Sequence, residues 1–367
     1  MRDKKEIIET DLDTKEEDFS ETGGLYPYDP SFEDIDLKED PQSVFQYIRK
    51  YNQGKLIIDP DFQRNLVWEP IQKSQFIESV ILNFPLPPFY LNQDKNGNLT
   101  IIDGLQRTTT LFQFFNDKFE LSGLEAIPEL NGSEFSTLSP ELQAKIEDKK
   151  ILLYILKPST PLIVIYDLFK RINTGGTQLN RQEIRNCIFL GKATKLLKEL
   201  SEKDYFKKAI DYGISPKRMK DREAVLRCIA FKIQNFETDY EGNMSGFVEN
   251  AMRKINKMNG SEIDLIKKDF EKVMTYTFSF FGKNNFRIPT QHTRGTINIA
   301  VLESVSYFFF NQPDNFIEDN KPLIKNNYKR LISNQNYQNA VRFSTGSKAH
   351  VITRFKLVKP ILAQGKL

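Results

Sequence analysis

The run Leu99-Thr-Ile-Ile-Asp103-Gly104-Leu105-Gln106-Arg107-Thr108-Thr109-Thr110-Leu111 decides the fold of the N-terminal half. Its apolar start predicts a strand, and its Asp-Gly pair predicts a turn. The apolar spacing after the turn predicts a helix that begins at about Thr108. The start of a helix stabilises anions. Arg107 adds donors suited to phosphate oxygens, and Asp103 is suited to hold a metal ion or to orient water. The run indicates a phosphate site, although such a turn is also common as a purely structural feature.

The sequence around this run alternates helical and strand patterns and predicts an α/β unit. Asn96-Gly97 between two apolar runs predicts a hairpin. From Arg181 onward nearly every segment has helical spacing, which predicts an all-helical unit after a boundary near residues 180–200. The predicted strands are 56–58, 89–91, 99–102 and 151–156, and the predicted helices are 43–51, 71–84, 162–172, 183–201, 222–236, 246–258, 263–281, 293–310 and 321–333.

The composition is that of a folded globular protein. The 367 residues are 39% hydrophobic and 28% charged, which excludes collagen-like, wholly disordered and membrane-embedded chains. Two cysteines, Cys187 and Cys228, are too few for a disulfide framework or a structural zinc site and are interpreted as buried thiols. No apolar stretch is long enough to span a bilayer, so no membrane association is expected and a cytoplasmic location is predicted.

Charge is distributed unevenly along the chain. Residues 1–40 carry 5 basic and 15 acidic residues, whereas residues 321–367 carry 10 basic residues and no acidic one. The acidic segment 1–40 is predicted to be a flexible arm, serving either solubility or competition with nucleic acid for the basic end. The basic end either neutralises DNA phosphates, with Lys348, His350 and Arg354 as candidate contacts, or is a solvated helix face.

Three further runs accompany the central one in a fixed order. They are Asp61-Phe-Gln63-Arg64-Asn-Leu-Val-Trp68, the segment Ile77-Glu78-Ser-Val-Ile81 leading into Phe84-Pro-Leu-Pro-Pro88, and Phe169-Lys-Arg-Ile-Asn173-Thr-Gly175-Gly176-Thr-Gln-Leu179. Together with the Asp-Gly turn they resemble the N-terminal domain of GmrSD-type restriction endonucleases, a GmrS-like family with a ParB/sulfiredoxin-like fold. The resemblance covers roughly residues 40–190, and four ordered motifs are far more specific than one.

The resemblance implies an α/β domain that binds and hydrolyses a nucleoside triphosphate with Mg²⁺, in systems that cut modified foreign DNA. It implies catalytic roles for Asp103, Gln106 and Arg107, with Mg²⁺ held at Asp103; Leu105 departs from the Gln that is commoner at its position. The nucleotide-binding positions that it implies are Gln63, Arg64, Gly104, Arg107, Thr108, Asn173 and Gly175. No Walker-type phosphate loop occurs anywhere in the chain.

Structural interpretations of several of these residues remain open. Arg64 can equally pair with a surface carboxylate, Trp68 is more typical of a core than of a stacking platform, and Glu78 is adjacent to an apolar face and can be solvated. Asn173 can be the last residue of a helix before Gly175.

Two-part members of this family carry a His-Asn-His-type nuclease, but neither His292 nor His350 has the neighbours of such a site. The domains expected are the arm 1–40, a nucleotide-binding domain 41–190 and a helical domain 191–367. The expected function is that of an NTP-binding, NTP-hydrolysing component of a prokaryotic anti-phage restriction system acting on modified phage DNA. The alternatives are a non-hydrolysing DNA-modification sensor that recruits a separate nuclease subunit, and a small-molecule phosphotransferase. The sequence leaves homo-oligomerisation open.

Overall fold

Strands and short helices come first along the chain, and helices alone follow. The computed structural model describes residues 37–57, 68–94, 96–160, 164, 165, 168, 180–290 and 293–364. Contacts divide the chain into two compact units, and the division falls between Ile188 and Phe189. The fold class predicted from the sequence, α+β followed by all-helical, is confirmed.

In the part of the first unit that the structure describes, five strands, five α-helices and two short 3₁₀ helices have defined bounds. The strands are β1 (Leu37–Ser43), β2 (Leu56–Ile57), β3 (Phe89–Gln93), β4 (Leu99–Asp103) and β5 (Lys150–Leu156), and the helices are α1 (Val44–Asn52), α2 (Pro70–Ile81), α3 (Leu105–Phe115), α4 (Pro140–Asp148) and α5 (Arg181–Ile188). Local sequence explains where several helices begin: Ser43 and Gln46 form a capping box before α1, and Pro70 and Pro140 are the first residues of α2 and α4.

The five strands form one mixed sheet in the order β1-β5-β3-β4-β2. Strand β3 pairs antiparallel with β4, as the Asn-Gly hairpin predicts, and parallel with β5. The β3–β4 register is irregular at one point: Leu91 pairs with Ile101, but Tyr90 pairs with Asp103. Strand β4 therefore contains one extra residue, Ile102, which is a β-bulge.

One face of the sheet carries the core of this unit. Alternate residues such as Phe89, Leu91 and Leu153 are buried there with Tyr47 of α1 and Phe114 of α3. Because successive strand residues point to opposite faces, the intervening Tyr90 and Tyr154 lie on the other face, where both are half-buried. The sheet therefore has an apolar face under helices and an opposite face that is covered in part, since Leu156 and Asn92 are buried there while the two tyrosines are half-buried.

Strand β1 was not predicted and corrects the extent of the acidic arm. Residues 37–40, assigned to the arm, lie in β1 and pair with β5. Its sequence LKEDPQS is polar and contains Pro41, features typical of an edge strand, so it lacks the apolar alternation that identifies internal strands. The remainder of the arm lies outside the described residues, and so does most of the helix predicted over 162–172.

The second unit is helical throughout its described part. Its α-helices are α6 (Lys192–Glu202), α7 (Asp204–Ala209), α8 (Lys220–Ile233), α9 (Met244–Lys257), α10 (Gly260–Phe281), α11 (Ile299–Phe310), α12 (Asp314–Asp319), α13 (Lys321–Ser333), α14 (Gln335–Arg342) and α15 (Lys348–Gln364). The prediction of one continuous helix over 183–201 is wrong, because the helix is interrupted before Lys192 at Gly191, whose φ is +150°. The helix predicted from residue 293 begins only at Ile299, after Asn298 as its cap.

A buried ionic cluster lies in the core of the helical unit. Glu303 of α11 is fully buried; Arg227 of α8 donates to it at 2.5 Å and Arg354 of α15 at 2.7 Å. Arg354 also donates to the carbonyl oxygen of Thr345 at 2.6 Å. One carboxylate therefore holds three helices together through two guanidinium groups.

Candidate functional site

The turn between β4 and α3 has a backbone conformation that requires glycine. Gly104 adopts φ +97° in the left-handed region, and a Cβ added to it would lie 2.5 Å from Cδ1 of Phe89. Helix α3 therefore starts at Leu105, immediately after the turn. The N–H groups of the first turn, including those of Leu105 and Arg107, have no acceptor within the helix and lie at the positive end of its dipole.

The helix start corrects the role predicted for Thr108. The sequence places the helix start at Thr108, but this residue lies one turn inside α3, fully buried, where its N–H donates to the Gly104 carbonyl oxygen. Its hydroxyl donates to the same oxygen at 2.9 Å and lies 2.9 Å from the Tyr47 hydroxyl. Neither group is left to hold a phosphate.

Arg107 is the most highly connected side chain of the turn. Its guanidinium donates to the carbonyl oxygens of Pro87 and Pro88, and to Oδ2 of Asp103 at 2.9 Å. It also lies 4.5 Å above the centre of the Phe89 ring. Burial lowers the pKa of Arg107, and the charge of Asp103 opposes that shift. Arg107 therefore joins the proline loop, the strand end and the first turn of α3.

Asp103 presents the accessible negative charge of the turn. Its side chain is 31% exposed, while that of Arg107 is 11% exposed. One carboxylate oxygen receives the hydrogen bond from Arg107, which fixes the orientation of the group. An anion at the N-terminus of α3 would be repelled by this carboxylate unless a cation lay between them. One carboxylate together with phosphate oxygens is a donor set typical of Mg²⁺, so the residues present fit magnesium bound with a nucleotide.

Two tyrosines that the sequence analysis did not select lie on this side of the sheet, one beside Asp103 and the other on the next strand. Tyr90 is its register partner, and the ring of Tyr90 stacks on that of Tyr154, with centroids 5.3 Å apart. Burial and, after it, the charge of Asp103 raise the pKa of Tyr90. The available signal was the alternation of Phe89-Tyr-Leu91 and Leu153-Tyr-Ile155, which turns each tyrosine away from the core.

Of the other residues named in the sequence analysis, some have structural roles and some lie outside the described residues. Glu78 accepts hydrogen bonds from the N–H groups of Ala126 at 2.8 Å and Ile127 at 3.2 Å, so it is buried and not solvated. Trp68 packs on Phe76 at the edge of the core, as its structural interpretation predicts. Gln106 is half-buried in the first turn of α3. Gln63, Arg64, Asn173, Gly175 and His292 lie outside the described residues.

The candidate DNA contacts at the basic end differ in their exposure. Arg354 is fully buried on Glu303, which corrects its assignment as a DNA contact. His350 is half-buried, with Nδ1 2.6 Å from the carbonyl oxygen of Phe343. Lys348 is exposed at the start of α15. Its role in DNA binding stays a prediction.

Two features are absent from the described residues. No group of three or more His, Cys, Asp or Glu side chains among them is arranged to hold a metal ion. In the same part of the chain, no helix combines the length and the apolar character needed to cross a membrane.

Comparison with known proteins defines the class of the first unit. Residues 44–190 match the family described as GmrSD restriction endonuclease, N-terminal domain. This segment is therefore a GmrSD-type N-terminal domain, as the four ordered motifs predict, and it contains the β4–α3 turn and both tyrosines. No curated protein matches the chain.

Proposed function

We propose that the domain of residues 44–190 binds a nucleoside triphosphate with Mg²⁺ and hydrolyses it, as part of a restriction system acting on DNA. The observation that carries this proposal is the Asp103–Arg107 ion pair at the N-terminus of α3. It holds an accessible carboxylate beside N–H groups that have no acceptor in the helix. The match to a restriction-endonuclease domain supports DNA as the polymer on which the system acts.

Each part of the turn has a role in this proposal. The N–H groups of the first turn of α3 bind the phosphates, and Asp103 holds the magnesium that accompanies them. Gln106 orients the attacking water. Arg107 acts on the phosphates through the position that it gives to Asp103, because its own donors contact Pro87, Pro88 and that carboxylate.

Asp103→Asn is expected to reduce nucleotide hydrolysis by about 10²-fold, because it removes the charge that binds magnesium and orients water. The measurement is phosphate release from ATP, GTP, CTP and UTP with Mg²⁺, with and without plain and modified phage DNA. Asp148→Asn is the matched control, since Asp148 is exposed at the end of α4. Equal release by the wild type and Asp103→Asn would contradict the assignment.

A non-hydrolysing DNA-modification sensor is the second candidate, and one observation favours it. The guanidinium of Arg107 makes three hydrogen bonds within the protein, so this arginine is poorly placed to neutralise charge developing on a transferred phosphoryl group. A sensor would bind nucleotide or DNA without releasing phosphate. Binding that persists without turnover would establish this candidate and direct the search to a partner nuclease.

DNA binding by the full chain is expected to weaken with salt, with a log-log slope of about −0.9 per phosphate neutralised. Lys348→Ala should bring the slope closer to zero by about 0.9, because an exposed lysine contributes one phosphate contact. Lys217→Ala, an exposed lysine outside the basic end, is the control. Fluorescence anisotropy at several salt concentrations measures both slopes, and an unchanged slope in Lys348→Ala would remove that residue from the interface.

A further inference from the structure

Four side chains form a row across the sheet beside the β4–α3 turn. Glu39 of β1 is paired in register with Tyr154 of β5, Tyr154 with Tyr90 of β3, and Tyr90 with Asp103 of β4. Register partners on neighbouring strands lie on the same face. With strands about 4.8 Å apart, the row extends about 14 Å. We call these four residues the aromatic row.

The contacts within the aromatic row hold its rings in a fixed arrangement. The rings of Tyr90 and Tyr154 are stacked, with an angle of 28° between their planes. Glu39 is the register partner of Tyr154; burial and, after it, the charge of Glu39 raise the pKa of the Tyr154 hydroxyl. Asp103 at the other end is held by Arg107. A stacked pair of aromatic rings therefore lies between two carboxylates, and Arg107 fixes the orientation of one of them, Asp103.

This arrangement does not contribute to the core of the domain. Phe89, Leu91 and Leu153 fill the core on the opposite face, and neither tyrosine belongs to that cluster. Two half-buried aromatic rings and an exposed glutamate are therefore available to a ligand, and the opposite end of the row, at Asp103, lies beside the proposed phosphate site.

The chemistry of the row selects the kind of group that fits it. Stacking of a planar uncharged ring on tyrosine is favourable, and its free energy does not depend strongly on the identity of the ring. Two carboxylates disfavour an anionic group over the rings, and they accept hydrogen bonds from N–H groups. A nucleobase is planar, uncharged and carries N–H donors on its edge.

We infer that Tyr90 and Tyr154 stack the base of the bound nucleoside triphosphate and that Glu39 accepts hydrogen bonds from the N–H groups of that base. This inference rests on the proposed function, because it assigns the base end of a ligand whose phosphates lie at α3. Asp103 lies at the junction, between the base end and the phosphate end. Glu39 then sets the preference among the four nucleotides.

Tyr154→Ala is expected to weaken binding of the preferred nucleotide by about 5- to 150-fold, the range found for loss of base stacking on an aromatic ring. Tyr154→Phe keeps the ring and should retain most of the affinity. Phe45→Ala is the control, because Phe45 is a half-exposed aromatic residue of α1, the helix layer that covers the opposite face. Isothermal titration of the full chain with each of the four nucleotides and Mg²⁺ gives these affinities.

Inorganic tripolyphosphate separates this inference from the proposed function. Its affinity should be the same in the wild type and in Tyr154→Ala, because it has no base. If Tyr154→Ala loses tripolyphosphate affinity and nucleotide affinity equally, the base assignment is overturned. It is also overturned if Tyr154→Ala binds the nucleotide as tightly as the wild type while tripolyphosphate still binds. A wild-type chain that binds neither probe would overturn the proposed function and the inference with it.

Two further results bear on the base assignment. Glu39→Gln should change the ratio of affinities between the most and least preferred nucleotides by about 10-fold, because it replaces a charged acceptor. If Tyr154→Phe loses as much nucleotide affinity as Tyr154→Ala, the hydroxyl and not the ring contributes to binding. That result would overturn stacking. Tyr154→Ala weakening only the binding of single-stranded DNA would assign the rings to a DNA base instead.

Discussion

Glu303→Gln is expected to lower the free energy of unfolding of the helical unit by about 3–5 kcal/mol. The substitution keeps the shape of the side chain but removes the buried carboxylate charge that pairs with both Arg227 and Arg354. Two buried guanidinium groups would then contact a neutral amide in place of the carboxylate that they share. The helices α8, α11 and α15 meet at this carboxylate, so its loss affects the whole unit.

Glu237→Gln is the matched control for this prediction. Glu237 pairs with Lys356 at 2.8 Å, but its side chain is 48% exposed, so the change should cost less than about 1 kcal/mol. Urea unfolding followed by far-UV circular dichroism measures both variants. A loss no larger in Glu303→Gln than in Glu237→Gln would mean that the buried cluster does not stabilise the unit.

Gly104→Ala is expected to destabilise the sheet unit by about 3 kcal/mol and to abolish nucleotide binding. A residue with a Cβ pays about 1–2 kcal/mol for left-handed backbone, and overpacking against a buried ring adds about 1–3 kcal/mol. Relief of the overlap with Phe89 would move the start of α3, which carries the N–H groups of the proposed phosphate site.

Gly54→Ala separates the two parts of this cost. Gly54 also has a positive φ, +69°, but a Cβ there meets no atom within 4 Å, so only the backbone penalty of about 1–2 kcal/mol applies. Fluorescence of Trp68, the single tryptophan, follows unfolding of the sheet unit. If both variants lose the same stability and Gly104→Ala still binds nucleotide, the close approach to Phe89 is not a requirement of the site.

The sequence predicts the parts of the fold in which local pattern and burial agree. The Asn-Gly hairpin joins β3 and β4 as predicted, and α13 has the predicted bounds, because its apolar spacing continues without interruption. Strand β1 escaped prediction because an edge strand needs no apolar alternation. The start of α3 was placed too late because its threonines look like caps but bond back to the helix.

The site is only partly accessible to sequence reasoning, for a physical reason. Asp103, Gly104 and Arg107 lie close together in the sequence and could be recognised as one motif. Glu39, Tyr90 and Tyr154 come together only through strand pairing, which a single sequence does not specify. Arg354 was misassigned for the same reason. Its partner Glu303 lies on a different helix, so the sequence does not show that this arginine, within a run of basic residues, is buried.

The bulge at Ile102 determines which side chain is Asp103's neighbour. In an unbroken ladder, with Leu91 opposite Ile101, Asp103 would pair with the core residue Phe89, and alternation would turn its carboxylate toward the apolar face. The additional residue reverses that direction and sets the acid beside Tyr90. Under the proposed function the length of β4 between the hairpin and the glycine is constrained. We therefore expect the hairpin loop to tolerate insertions that the strand does not.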